Sequence, residues 1–286
     1  NIRRISLFGF LFLFILLLYV LRLDFEVKGA KRWIKFFNFT IQPSELIKPF
    51  FIILTAWCIS QTINSKKNYL ITLFIFFGAL ISLILLQPDV GMTILFTSTF
   101  FCQLFVAGLP LILVILAVIF LLIMSTSSYF IFDHVQRRMN SFFESGDTHQ
   151  IDLSIKAFKS GGIFGKGPGQ GILKEKIPDA KTDFIFSVAG EELGLIFCLI
   201  ILLIILSIII RTLIKVLKIQ DPYKMIAISG LICSFGLQSL INIFSSLGVI
   251  PTKGMTLPFV SYGGSSIISI SILFGFLLSL TNKNNE

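Results

Sequence analysis

Apolar residues in this chain are gathered into long stretches without a charged side chain. The stretch 90–132 holds 43 residues, and 225–252 and 255–282 hold 28 each. A helix that crosses a bilayer needs about 20 apolar residues, so the first stretch predicts two spans and the others one each. The residues do not alternate between apolar and polar as in membrane β-barrel strands. Because backbone groups in lipid must bond within the protein, the pattern predicts an all-α polytopic membrane protein.

Eight membrane-spanning helices are predicted, with connectors on alternating sides of the bilayer. They cover residues 5–23, 43–63, 69–87, 90–107, 110–132, 184–210, 225–248 and 256–280. The longest connector, 133–183, is expected to form one long loop, and residues 1–286 are expected to form a single membrane-embedded domain. The side with this loop carries the larger number of Lys and Arg residues, so the positive-inside rule favours the cytoplasm for it.

Composition agrees with this architecture and excludes an ordinary soluble domain. Hydrophobic residues make up 55% of the chain and charged residues 14%, with a mean hydropathy of +0.91. The four cysteines lie in apolar spans without paired spacing, so they are interpreted as small hydrophobes. The 32 Phe residues are interpreted as lipid-facing bulk. His134 and His149 lie in a polar loop without metal-ligand spacing, so no metal site is predicted.

The stretch 42–49, QPSELIKP, places an acid and a base at the start of the second predicted span. Pro43 and Glu45 are typical of a helix start and by themselves require no function. Lys48 lies about 9 Å into the apolar helix at 1.5 Å per residue, and its spacing from Glu45 allows an ion pair. An ion pair inside a membrane is costly and by default indicates a functional site.

Two further polar clusters precede the second and the fourth predicted spans. In VKGAKRWI, the residues Lys28, Arg32 and Trp33 fit either an anchor at headgroup depth or a binding surface. In QPDVG, residues 87–91, Asp89 can cap the next helix or belong to a site. The Gln-Pro pair repeats the one at 42–43 and suggests a weak internal repeat.

The end of the long loop is rich in glycine and leads into two acids. The segment 160–171, SGGIFGKGPGQG, fits a flexible linker, but Ile163 and Phe164 favour a folded, partly buried loop. Asp183 can cap the span expected to start directly after it. Glu191 and Glu192 cannot both face lipid cheaply, so at least one is expected to face the interior and pair with a cation or line a cavity. By helical geometry Glu192 is expected on the face opposite Asp183.

The stretch 248–266, GVIPTKGMTLPFVSYGGSS, precedes the last span and adds Lys253 and Ser261. Its Pro258 and the pair 263–264 suggest a broken helix that lines a pocket, since irregular backbone at membrane depth is tolerated where it is buried in protein.

These motifs resemble those of the SEDS family, the FtsW/RodA group of bacterial cell-wall polymerases. The resemblance rests on GGIFGKGPGQG, IPDAKTDFIFSVAGEELG, QPSE, QPDVG and PTKGMTLPFVSYGGSS, and it runs essentially from end to end of the chain. It is strongest with the cell-division branch of the family. Members usually have ten spans, so this chain is expected to lack the first two, and the loop between residues 139 and 150 is shorter than in many relatives.

The resemblance implies a fold, an activity and partners. SEDS proteins polymerise lipid II at the outer face of the bacterial inner membrane with a class B penicillin-binding protein transpeptidase, and those of the division branch act with divisome proteins at the septum. The loop 133–183 would then be periplasmic, against the Lys/Arg count. A site for the pyrophosphate of lipid II would explain the excess of cations on that face. No cofactor is expected from the motifs, and a divalent cation is left open.

The resemblance also implies residue roles. Joining the 4-hydroxyl of GlcNAc to the anomeric carbon of MurNAc, with inversion and loss of polyprenyl pyrophosphate, requires a base, and the family's essential carboxylate matches Asp183. The cations would stabilise the leaving group, Glu45 would orient Lys48, and Asp89 would act as a weaker, outer group. The residues expected to bind substrate are Lys28, Arg32, Trp33, Glu45, Lys48, Gln87, Asp89, Arg137, Lys253 and Ser261.

Two other functions fit the same residues. A transporter that flips lipid II would also need charged groups in spans and broken helices, but it would move lipid without lengthening glycan. A non-catalytic scaffold for a transpeptidase would tolerate changes at Asp183. The residues alone leave both alternatives open.

Overall fold

A computed structural model describes residues 2–23, 32–36, 39–65, 69–108, 149–251 and 254–282, with single residues between 112 and 136. The described elements are helices and one short hairpin. They are α1 (Ile2–Leu21), β1 (Ile34–Phe36), β2 (Phe39–Ile41), α2 (Pro43–Ser65), α3 (Leu70–Leu86), α4 (Val90–Val106), α5 (His149–Gly161), α6 (Ile185–Val216), α7 (Pro222–Ser246) and α8 (Gly264–Thr281). A 3₁₀ turn, Leu173–Glu175, follows α5. The strands pair antiparallel, with Lys35 opposite Thr40.

Among the described residues, five helices are long and apolar enough to cross a membrane: α1, α2, α6, α7 and α8. Helices α3 and α4, of 17 residues each, are shorter but apolar, and that length is at the low end of what can span a bilayer. The all-α polytopic prediction is therefore confirmed. The predicted span 110–132 lies mostly outside the described residues, and only seven of its 23 residues are described.

The start of the last predicted span is wrong. Residues 256–263 are not helical, and α8 begins at Gly264. The hydroxyl of Ser261 accepts from the N–H of Leu257, and the N–H of Ser261 returns to the carbonyl of Leu257. This local turn satisfies the backbone without a helix, as irregular structure among apolar segments requires.

Contacts divide the chain into two compact units. The first holds residues 1–126, 212–235 and 264–286, and the second holds 127–211 and 236–263. The single domain expected for residues 1–286 stays a prediction.

The first unit is built around α2, which packs against α1, α3, α4 and α8. Aromatic rings fill part of this core: Phe77 and Phe100 stack with centroids 4.2 Å apart, and Phe51 meets Phe96 edge to face. The interpretation of Phe as lipid-facing bulk is wrong for Phe51, Phe96 and Phe100, which are buried. Ring pairs of this kind add packing energy beyond area alone.

The second unit holds α5, most of α6 and the end of α7. Leu153 and Ala157 of α5 pack with Ile177, Ala180 and Phe184 from the segment that leads into α6. A second cluster joins α6 to α7 through Phe186 and Ile243, with Leu257 beyond α7. Burial of these side chains fixes the path of residues 173–184, which carry Asp183.

Helix α6 is broken at Gly194, whose φ of 79° and ψ of −178° lie outside helical space. In an unbroken helix the N–H groups of Leu195 and Ile196 would donate to the carbonyls of Glu191 and Glu192. Here they donate instead to the carbonyls of Gly162 and Ile163. The released carbonyls of Glu191 and Glu192 accept from the N–H groups of residues 166 and 167. Hydrogen bonds to the loop 162–167 thus replace two main-chain hydrogen bonds of the helix.

Candidate functional site

In the first unit, Glu45 and Lys48 form the predicted ion pair. The Nζ of Lys48 lies 2.5 Å from Oε2 of Glu45, and both side chains are buried, at 1% and 7% exposure. The pair is tied to α8 because Ser269 donates to the carbonyl of Glu45 at 2.6 Å and the hydroxyl of Ser265 accepts from the N–H of Gln42. The predicted pairing is confirmed, and contact of Lys48 with substrate stays a prediction.

Arg32 and Asp89 meet in the same unit. The Arg32 guanidinium donates to the carbonyls of Gln87 and Pro88 and lies 3.6 Å from a carboxylate oxygen of Asp89. Asp89 also caps α4 by accepting from the N–H of Met92, and Gln42 donates to its other oxygen at 3.4 Å. The capping role predicted for Asp89 is confirmed. Several of the five N–H donors of Arg32 are bound to protein acceptors, so this side chain stabilises the turn between α3 and α4.

Gln87 and Trp33, two further residues expected to bind substrate, differ in burial. Gln87 is buried, and its side-chain amide donates to the carbonyl of Leu17 in α1 at 3.1 Å. Trp33 is half-buried, directly before β1. Substrate contact by either side chain stays a prediction. Three other expected substrate residues, Lys28, Arg137 and Lys253, lie outside the described residues.

In the second unit, Asp183 is half-buried at the end of a turn, two residues before α6. Its N–H donates to the carbonyl of Asp179, which also accepts from the N–H and the hydroxyl of Thr182. Gly254, with φ of +66°, brings the chain beside the carboxylate: a Cβ on Gly254 would lie 3.7 Å from Oδ2 of Asp183. The carboxylate therefore lies where two irregular segments meet.

The main chain at Asp183 is held from α7. The side-chain amide of Asn242 donates to the carbonyl of Asp183 at 2.9 Å and to the carbonyl of Met255 at 2.7 Å. The hydroxyl of Ser246 also donates to the carbonyl of Asp183, at 3.4 Å. One turn earlier, Gln238 donates to the carbonyl of Thr256. These buried side chains at i, i+4 and i+8 form one polar stripe on α7.

Ser261 also holds the main chain beside Asp183. Its hydroxyl donates to the carbonyl of Thr182 at 2.5 Å, and the N–H of Tyr262 donates to the carbonyl of Lys181 at 2.9 Å. Ser261 therefore fixes the residue before Asp183. This contact is a main-chain one, and the predicted binding of substrate by Ser261 stays a prediction.

Glu191 and Glu192 bind the glycine-rich loop, residues 161–174. The carboxylate of Glu191, fully buried, accepts from the main-chain N–H groups of residues 172–174 at 3.0–3.3 Å and from Lys166. Glu192 accepts from the N–H of Gly169 at 2.9 Å and from Lys174 at 2.6 Å. The prediction that at least one acid pairs with a cation is confirmed. The loop is folded as predicted, but the burial expected from Ile163 and Phe164 is wrong, because both side chains are exposed. The expectation that Glu192 lies on the helix face opposite Asp183 stays a prediction, since the partners of its carboxylate are Gly169 and Lys174.

Sequence reasoning missed Asn242 and Ser246, although a signal was available. Both lie in the charge-free stretch 225–252, which length and hydropathy identify only as a span. Amide and hydroxyl side chains spaced four residues apart within a span indicate a helix face turned toward other protein. No group of three or more His, Cys, Asp or Glu suited to a metal occurs in the part of the chain that the structure describes.

Comparison with known proteins identifies the family. The whole chain, residues 1–286, matches the family described as cell cycle protein, FtsW/RodA/SpoVE. The chain belongs to this family. It is 40% identical over 286 residues to a protein of Caulobacter vibrioides named probable peptidoglycan glycosyltransferase FtsW, with 99% of this chain and 73% of the relative covered. A relative of the same name from Borreliella burgdorferi is 37% identical, with 99% and 80% covered.

Solved structures of the FtsW/RodA/SpoVE family share the fold. The rod shape determining protein RodA of Thermus thermophilus matches with a TM-score of 0.69 at 24% identity, over 98% of this chain and 79% of the other. A structure described as "Structural coordination of polymerization and crosslinking by a peptidoglycan synthase complex" matches with a TM-score of 0.76 at 23% identity, over 97% and 81%. At these identities the likeness shows the fold, which is a multi-pass membrane fold.

Proposed function

We propose that this chain is a peptidoglycan glycosyltransferase that polymerises lipid II, with Asp183 as its general base. The observation that carries the proposal is the placement of Asp183. Its carboxylate is half-buried beside the chain at Gly254, and its main chain is fixed by Asn242, Ser246 and Ser261. Membership of a family whose relatives are named peptidoglycan glycosyltransferases supports the same reaction.

The reaction is a single displacement with inversion. Asp183 takes the proton from the 4-hydroxyl of GlcNAc in lipid II as that oxygen attacks the anomeric carbon of MurNAc at the end of the growing chain. The bond from that carbon to the phosphate oxygen breaks, and its electron pair leaves with polyprenyl pyrophosphate. Rigid placement of the base is what such a step needs, because small misplacements of a catalytic group cost large factors in rate.

Cations are proposed to stabilise the departing pyrophosphate. The candidates are Lys28, Arg32, Lys48, Arg137 and Lys253. Among them, Arg32 and Lys48 have protein partners in the first unit, so we assign Arg32 a part in shaping its turn besides any contact with substrate. Gln87 and Trp33 are also proposed to bind substrate, and Asp89 is proposed to act as a weaker, outer group.

The setting of the reaction is proposed from the relatives. We place the chain in the bacterial inner membrane at the division septum, with residues 133–183 on the periplasmic side. Its partners would be a class B penicillin-binding protein transpeptidase and divisome proteins. The similarity in fold to a structure described as coordinating polymerisation and crosslinking supports a transpeptidase partner.

The test is a glycan-product gel with lipid II, using the chain and its transpeptidase in proteoliposomes. Asp183→Asn is expected to lower the polymerisation rate by about 10²–10⁴-fold, the range for loss of a general base. Asp179→Asn makes the same chemical change four residues earlier, at an exposed position, and is expected to keep the rate within about threefold.

A wild-type rate for Asp183→Asn would overturn the assignment of the base. Translocation of labelled lipid II without glycan products, in the unchanged chain, would overturn the polymerase and favour the flippase. Absence of both activities, with transpeptidase recruitment retained, would favour the scaffold.

A further inference from the structure

The glycine-rich loop 161–174 combines irregular backbone with exposed apolar side chains. Phe164 is 81% exposed and Ile163 is 57% exposed. Both side chains extend from a segment whose main chain is bonded to α6 through Leu195 and Ile196. Exposure of two adjacent large apolar side chains to water costs free energy, and such a patch indicates a contact with lipid or with another protein.

The neighbouring face of α6 is apolar and exposed from the break onward. From Leu195 to Ile210 it presents large side chains such as Leu195, Leu203 and Leu206 at 50–62% exposure. Most side chains of this part of the helix are exposed or half-buried. In a membrane protein such a face contacts lipid. Ile163 and Phe164 lie beside the start of this face, because the carbonyls of Gly162 and Ile163 accept from the N–H groups of Leu195 and Ile196.

The distance along α6 from Arg211 to Leu195 gives the depth of the loop in the bilayer. Arg211 is the first charged residue after the break, 16 residues beyond Leu195, so the two lie about 24 Å apart at 1.5 Å per residue. The hydrocarbon core is about 30 Å thick. With Arg211 at one interface, Leu195 lies about 6 Å inside the opposite edge. The paired residues 162 and 163 lie at the same level.

The hydrogen bonding of the loop allows this depth. Non-helical backbone is tolerated among lipid only where its polar groups bond to protein. The N–H groups of residues 165–167 donate to main-chain carbonyls, that of 169 to Glu192, and those of 172–174 to Glu191. The carbonyls of residues 162 and 163 accept from α6. The buried carboxylate of Glu191 and the half-buried carboxylate of Glu192 thus satisfy backbone groups that water would satisfy in an ordinary surface loop.

Glycines make this close docking feasible. A Cβ on Gly161 or Gly165 would collide with the main chain of α6 at residues 190–192, and one on Gly194 would collide with the loop at Ile163 and Gly165. The loop therefore lies directly on the helix backbone, with its apolar side chains turned outward. Lys166 and Lys174, bound to the acids and 34% and 28% exposed, are long enough to reach headgroup phosphates at the same time.

We propose that residues 162–165 form a lipid-inserted tip, with the ring of Phe164 in the acyl-chain region of one leaflet, and that Glu191 and Glu192 anchor it there. The partner is the bilayer itself. This places part of the long loop within the membrane and not in the aqueous phase. The proposal rests on the fold of the second unit and is independent of the proposed reaction.

The test is depth-dependent fluorescence quenching in vesicles of phosphatidylcholine and phosphatidylglycerol. Phe164→Trp adds a third tryptophan to Trp33 and Trp57, and its emission is obtained by subtracting that of the unchanged chain. Phosphatidylcholine brominated in the acyl chains is expected to reduce the added emission at least twofold, and aqueous acrylamide is expected to reduce it little. Lys181→Trp, at an exposed position of the same connector, is the matched control and is expected to show the opposite pattern.

Two results would overturn the proposal. Equal acrylamide quenching at positions 164 and 181 would put Phe164 in water. Protection of position 164 from both quenchers would mean that protein covers it, as for a partner-binding surface. Ile163→Trp repeats the measurement on the same tip should Phe164→Trp not fold, and size-exclusion chromatography reports folding of each variant.

Discussion

The side-chain amide of Asn242 bridges the carbonyl of Asp183 and the carbonyl of Met255, at 2.9 and 2.7 Å. One buried side chain on α7 therefore joins the two irregular segments that flank the proposed base. The backbone of Asp183 is held by this contact and by hydroxyl groups, since Ser246 and Ser261 bind at or beside it.

Asn242→Ala is expected to lower kcat for glycan polymerisation by about 10–10²-fold with KM within about threefold, because loss of the bridge misplaces the base without removing it. Gln238→Ala, one turn earlier, removes a buried amide that binds Thr256 and serves as the control, with similar loss of thermal stability and little loss of kcat. Steady-state kinetics on both variants checks this. Equal losses of kcat in the two variants would show that Asn242 has only a structural role.

Glu191→Gln is expected to loosen the loop from α6. The glutamine keeps one acceptor, but its NH₂ group faces the main-chain donors of residues 172–174, and the charge opposite Lys166 is lost. Bonds to a charged group contribute about 1.5–3 kcal/mol each, so local opening should become at least about tenfold more frequent. Hydrogen exchange at amides 172–174 measures it.

The control for this change is Glu175→Gln, an exposed acid in the same segment. It is expected to leave exchange at amides 172–174 within about twofold. Slow exchange retained in Glu191→Gln would show that the buried carboxylate does not hold the loop.

Gly194→Ala is expected to disrupt the break in α6. Its φ and ψ lie in a region available essentially to glycine alone, and a Cβ would collide with the N–H nitrogen of Gly165. We expect a loss of at least about 3 kcal/mol in stability, seen as a lower thermal midpoint in detergent. Gly78→Ala in α3, where a Cβ meets nothing within 4 Å, should be neutral or slightly stabilising. Comparable midpoints for the two variants would contradict the role of the break.

The buried pair of Glu45 and Lys48 is expected to behave as one unit. Removing one partner deprives the other buried charge of its ion pair, which costs about 3–5 kcal/mol, so Glu45→Gln and Lys48→Met should each destabilise strongly. The double variant should be more stable than the sum of the single changes predicts. Thermal unfolding of all four proteins in detergent gives this coupling, and simple additivity would show that the two charges do not interact.

Hydrophobic patterning was sufficient to predict the membrane class and most helix positions, since residues in lipid must be apolar over a length set by the bilayer. The pair of Glu45 and Lys48 followed from i,i+3 spacing, which is a local property. The cap at Asp89 was predictable for the same reason. The start of α8 was not, because hydropathy does not distinguish a span from an apolar turn such as the one closed by Ser261.

The sequence by itself determined that this chain is a helical membrane protein and which polar side chains interrupt its spans, because helix geometry and the thickness of the bilayer act on local patterns. Only the tertiary structure decided where those side chains point. Asn242 reaches Asp183, 59 residues away, and Glu191 and Glu192 bind main-chain N–H groups of a loop 17–23 residues earlier in the chain. Such contacts join residues distant in sequence, so they arise from packing of the folded chain and leave no periodic signal in the sequence.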